Sequence, residues 1–295
     1  IAQCLVGSEM CIRDSTYTET ENDLTVKANK RTFIFSKKDG QLKGVSVDNR
    51  KISFANGPRF IGARRADRSL DQFYNHDDEK AKEKDRTYSE FPDAAVFTKL
   101  DVKQDGGDLV VTANYKLGNL DKAQWTINPS GDLALDYTYN FSGVVDLMGI
   151  RFDYPEDQVI SKRWLGAGPY RVWQNRIHGT QYDVWENDYN DPIPGETFTY
   201  PEFKGYFGDV SWMNIQTKEG TISLTNETPD AYIGVYQPRD GRDRLLYTLP
   251  ESGISVLNVI PPVRNKVNST DLCGPSSQPK WVNGPQTGRV IFRFM

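Results

Sequence analysis

Forty acidic side chains and two histidines are the reservoir of proton chemistry in this 295-residue chain. Cleaving a bond between sugars needs two carboxylates held several ångströms apart, and no pair is singled out by its setting. Asp77-Asp78-Glu79 and Glu186-Asn187-Asp188 have the pattern of solvated loop charges. His76 lies in a charged stretch and His178 in an aromatic-rich one; either has the side chain for general acid or base work on a sugar. Zinc would need a further His or Cys cluster, and none is spaced to supply it. The expectation is no catalytic residue, no metal and no cofactor.

Two of the three cysteines, Cys4 and Cys11, fall in "CLVGSEMCIRDS". Back-translated with permitted codons, Cys4 to Asp14 matches a transposase adaptor used in sequencing libraries. Residues 1–15 are therefore set aside as carry-over, and the natural protein is expected to extend upstream. Cys273 then has no intrachain disulfide partner and is read as a buried or loop thiol.

The densest chemistry outside the acids is aromatic. "RWLGAGPYRVWQNRIHGTQYDVWENDYNDPIPGETFTYPEFKGY" runs from Arg163 to Tyr206, mixing Trp, Tyr and Phe with Arg, Asn and acids. A sugar ring offers an apolar C–H face and a hydroxyl rim, so flat aromatics beside bidentate polar groups suit it. The bland alternative is that these rings cap the end of the fold and bury one another. Tyr170, Arg171, Trp173, Arg176 and Trp185 are the carbohydrate-binding candidates here, joined by Arg264 and Trp281 further on.

The elements that must position these side chains are strands. "LTVKANKRTFIFSKKDGQLKGVSVDNRKI" alternates apolar and polar residues around turns at Lys38-Asp39-Gly40 and Asp48-Asn49, which is hairpin punctuation. The rhythm continues past Asp105-Gly106-Gly107 and Pro129-Ser130-Gly131, each flanked by period-two alternation. Ala63 to Ser89, Trp164 to Phe207 and Pro261 to Gly288 break it and are expected as loops. No helical period of useful length is present. The expectation is an all-β chain: residues 16–23 a disordered or linker segment, and 24–295 one large antiparallel β-supersandwich.

A net charge of −4 and a pI near 5.4 argue against a surface that tracks phosphates, so no nucleic-acid partner is expected. No apolar run reaches the length of a bilayer span, so no membrane partner is expected either. Aromatic content of 12% supplies enough bulk for a sizeable core.

"RWLGAGPYRVWQNR", Arg163 to Arg176, resembles the Trp-Leu-Gly-x-Gly-Pro signature of the C-terminal β-sandwich in glycoside hydrolase family 2 β-galactosidases. "NKRTFIFSKKDGQLKGVSVDNRKI", Asn29 to Ile52, is similar to the opening of that domain. The resemblance covers Leu24 to Phe294 and implies a galactose mutarotase-like fold, the last domain of a larger hydrolase. It also implies that the two catalytic glutamates lie on an upstream barrel of the same native chain, that the partner is a β-galactoside or related glycan, and that the protein is periplasmic or secreted in a bacterium. In the family a loop that often carries a Trp reaches the barrel mouth. Here that stretch reads Pro261-Pro262-Val263-Arg264, with Trp281 after a longer insertion, which leaves a β-glucuronidase or arabinopyranosidase open. Two other readings stay beside this one: a free-standing carbohydrate-binding module, and an epimerase or lyase using His76 or His178.

Overall fold

The computed structural model describes residues 15–65, 88–189, 203–238, 249–263, 276 and 278–295. The chain opens with β1 (Thr16–Glu19), β2 (Asp23–Ala28), β3 (Arg31–Ser36), β4 (Leu42–Val47), β5 (Arg50–Ile52), β6 (Ala55–Arg65) and β7 (Tyr88–Glu90). A meander follows: β8 (Val96–Asp105), β9 (Asp108–Lys116), β10 (Leu120–Ile127) and β11 (Leu133–Val145). Next come β12 (Leu147–Asp153), β13 (Val159–Gly168), β14 (Gln181–Asp188), β15 (Trp212–Thr217), β16 (Gly220–Asn226), β17 (Tyr232–Gly234), β18 (Ile254–Val259) and β19 (Lys280–Phe294).

These strands form two antiparallel sheets, as the alternation predicts. One runs β1-β2-β3-β4-β6-β12-β18-β17, with β5 on β4 and β7 on β6. The other runs β14-β13-β15-β16-β19-β11-β10-β9-β8. Among the described residues there is no α-helix. The chain is an all-β supersandwich.

The period of two decides which side chains meet between the sheets. In β9, Leu109, Val111 and Ala113 point inward; in β10, Trp125 and Ile127 do. The centre is aromatic: Phe54 stacks on Phe152 at 4.7 Å and meets Phe292 at 4.9 Å, while Trp125 meets Phe152 edge-on at 6.0 Å. Offset and edge-on geometries place positive ring edges against negative faces. The four turns named above lie between paired strands. Asp48 and Asn49 take φ of 48° and 64°, the left-handed backbone that a two-residue hairpin with the sheet's twist requires.

A smaller apolar cluster lies on the outer face of the first sheet. Ile61 and Ala63 of β6, Leu147 of β12 and Leu257 of β18 are covered there by Val172, Trp173, Tyr206, Ile260 and Val263. This explains why β6 reads as an unbroken run, Phe60-Ile61-Gly62-Ala63: Phe60 faces the main core and Ile61 the smaller cluster, and a strand buried on both faces does not alternate.

Four expectations shift. Residues 16–23 begin with a strand, β1, paired along β2 from Thr16↔Lys27 to Glu19↔Leu24. The stretch from Ala63 is strand through Arg65 and again from Tyr88; residues 66–87, including His76, lie outside the described residues. Trp164 to Gly168 belongs to β13, and β14 is an edge strand, although Gly, Pro and Trp suggested loop. Lys280 to Gly288, expected as loop, is the first part of β19, held along β11 from Val145↔Lys280 to Tyr137↔Gly288. Residues 1–14 are outside the described set.

Candidate functional site

The aromatic region is built on a short frame that follows β13. Pro169 ends the strand, and Tyr170 packs edge-on against Phe203 at 4.7 Å. Val172 then pairs with Tyr206 in both directions, N–H to carbonyl, at 2.7 and 2.8 Å. Gly205 permits that approach, because a Cβ there would collide with the Val172 carbonyl. Trp173 is fully buried, edge-on to Tyr206 at 5.9 Å.

Two side chains of the frame reach a distant part of the chain. Asn175 donates from Nδ2 to the Val263 carbonyl at 3.0 Å and accepts the Val263 N–H at 2.8 Å. Gln174, itself buried, donates from Nε2 to the carbonyls of Ser276 at 2.9 Å and Gln278 at 2.7 Å. The Gln174 N–H goes to Pro261. Both flanks of residues 264–275 are thereby tied to the Trp173–Arg176 turn, and Trp281 follows three residues after Gln278.

The predicted contact residues separate by accessibility. Arg171 is buried, with its guanidinium 4.7 Å from the Tyr236 ring centre and 5.7 Å from that of Phe207, and Lys162 approaches the Tyr236 ring at 5.2 Å while donating to the Asp188 carbonyl. Cations over ring faces are attracted by the ring quadrupole. Trp185 is half-buried on the face of Gly168 and donates from Nε1 to the Gly166 carbonyl at 3.2 Å. Tyr170 is half-buried, Arg176 is exposed, and Trp281 is 71% exposed. Arg264 lies outside the described residues. His178 sits exposed on a turn, and Glu186 and Asp188 point to solvent from the edge strand β14 while Asn187 between them is buried. Among the described residues no group of three or more metal-ligating side chains occurs.

The sequence gives no notice of a cleft of about 670 Å³ beside β6 and β12, because its walls come from Ser53 to Gly253. Arg59, Arg151, Asp153, Tyr154, Glu156 and Glu251 are among its lining residues. Arg59 pairs with Asp153, and Asn56 donates to the other Asp153 oxygen at 2.8 Å. Glu219, on the β15–β16 turn of the opposite sheet, accepts from Ser53 N–H at 2.9 Å, Ser53 Oγ at 2.6 Å and the Tyr154 hydroxyl at 3.3 Å. Burial drives the Tyr154 hydroxyl up to about 12, so it stays a neutral donor. Burial also raises the Asp93 carboxyl, against the pull of the nearby Arg59 and Arg151. Glu156 joins the cleft to the aromatic region, accepting the Tyr189 hydroxyl at 2.8 Å and the Gln237 N–H at 2.7 Å.

Residues 27–263 match the family of the β-galactosidase small chain, and the chain belongs to that family. No curated protein matches it. Similar solved structures include a GalM/aldose epimerase homologue from C. elegans, 8% identical with a TM-score of 0.44, covering 95% of this chain and 99% of that one. Galactose 1-epimerase from Lactobacillus acidophilus is 9% identical with a TM-score of 0.45, covering 95% and 98%.

Proposed function

We propose that this chain is the non-catalytic small-chain part of a β-galactosidase-like enzyme of glycoside hydrolase family 2, lending sugar-contacting side chains to an active site whose carboxylates lie on a barrel elsewhere. The observation that carries this reading is the double tie by Asn175 and Gln174, which holds the Tyr170–Arg176 turn beside the stretch leading to Trp281. Holding contact groups in fixed positions reduces the ordering cost of binding. Membership in the small-chain family supports the same reading.

In this arrangement Arg171 and Trp173 form the rigid backing, while Tyr170, Arg176 and Trp281 are the groups a glycan reaches. A ring as exposed as Trp281 has an open face for a pyranose. The test combines the chain with a β-galactosidase catalytic chain that needs a small-chain partner and follows hydrolysis of an aryl β-galactoside. The expected result is turnover on mixing, with a raised KM in Trp281→Ala and in Arg176→Ala. Equal KM in the variants and the parent overturns the contact assignment.

A further inference from the structure

The cleft beside β6 and β12 has a chemistry that the accessory reading does not use. Arg59 and Arg151 stand directly opposite one another in the β6–β12 register, so two like charges share one face of the sheet. That pairing is unfavourable on its own. Asp153 offsets Arg59, and Glu90 lies 3.9 Å from Arg151. Even so, the Nε–H groups of both arginines are buried without an acceptor among the described residues. Sites that keep such local costs are where function is expected.

The lining settles the kind of ligand. Arg59 and Arg151 share the lining with Asp153, Glu156 and Glu251; Arg59 pairs with Asp153, Arg151 donates to the Glu251 main-chain carbonyl, and Glu156 is already engaged by Tyr189 and Gln237. Two cationic against three acidic side chains leave an excess of one negative charge, so an anion is not attracted and the mixed donors and acceptors suit a neutral polar ligand. Ala55, Pro155 and Val235 add apolar wall between these donors and acceptors. The volume of about 670 Å³ falls within the range of small-molecule sites, roughly 300–1,000 Å³.

We propose that this cleft binds a neutral hexopyranose, with Asp153 accepting from one ring hydroxyl while Arg59 donates to its neighbour. Each sugar hydroxyl can both donate and accept, so two neighbouring ones can meet a carboxylate and a guanidinium together, and hydrogen bonds to charged groups are the stronger kind. Glu219 acts as a positioning residue, fixing Ser53 and Tyr154 from the opposite sheet. The site goes beyond the accessory reading, because it needs no barrel and none of Tyr170, Arg176 or Trp281.

The test titrates the ¹⁵N-labelled full chain with methyl β-galactoside and follows the Arg59 and Arg151 Nε–H and Asn56 amide signals. Saturable shifts at these three groups are expected, with affinity weakened about tenfold or more in Asp153→Asn. Asn56→Gly is the second variant: Asn56 has φ of 53°, which glycine adopts without strain, so the backbone is kept while the amide holding Asp153 is lost. It too should weaken binding, with an unchanged melting transition. No saturable shift at the highest soluble sugar concentration overturns the proposal. So do shifts confined to Tyr170, Arg176 and Trp281, or tighter binding of sulfate or a hexuronate than of the neutral sugar.

Discussion

Asn175 and Val263 hold one another by two hydrogen bonds, one in each direction, at 2.8 and 3.0 Å across 88 positions of sequence. A side-chain amide used in this way imitates a strand partner, satisfying both backbone polar groups of a buried residue. It also fixes where the Tyr170–Arg176 turn sits relative to the stretch that leads to Trp281.

Asn175→Ala removes both bonds and leaves the Val263 N–H and carbonyl short of partners. The expected cost is about 1–3 kcal/mol. A urea melt should show a lower midpoint at unchanged slope, and amide exchange at Val263 should accelerate. An unchanged Val263 exchange rate would show that the tie is not formed in solution.

Gly168→Ala places a methyl group against the Trp185 ring. Overpacking of this kind costs typically about 1–3 kcal/mol, and Trp185 must leave its seat between the Gly166 and Gln181 carbonyls. The measurement is thermal stability together with the emission of the displaced indole, which should shift to the red.

Trp281→Ala should leave stability within about 0.5 kcal/mol of the parent, as expected for a surface substitution, because the side chain is 71% exposed. A large loss of stability would assign Trp281 a packing role and remove it from the sugar-facing set.

Alkaline pH should unfold the chain through its buried phenols. Burial raises Tyr137 to about 12, and Tyr139 well above its ordinary value, whereas both titrate near 10 once unfolded. Between those values the folded state keeps protons that the unfolded state releases, so stability is whole below about pH 10 and falls as pH rises toward 12. Urea midpoints across that window, with tyrosinate absorbance, check it. A Tyr137→Phe variant should flatten the fall.

The strands with one wet face were legible because their alternation records burial directly: β9 and β10 put Leu109, Val111, Trp125 and Ile127 inward. β19 was not, since Gly284, Pro285 and Gly288 read as turn. Its first half is paired only with β11, because β16 joins β19 only between Val290 and Phe294, and proline is tolerated where one edge is open. The aromatic frame was half legible. Its composition marked the region, but whether a ring is buried depends on partners such as Tyr206 and Val263 that sequence spacing does not reveal. The cleft was not legible at all, since Arg59 and Arg151 meet only through strand register.

As proposed, this domain contacts sugar without cleaving it. Incubation of the purified chain alone with an aryl β-galactoside should therefore give no turnover above buffer. Turnover that scales with protein and survives repurification would contradict it, and would mean that the chain carries its own catalytic pair.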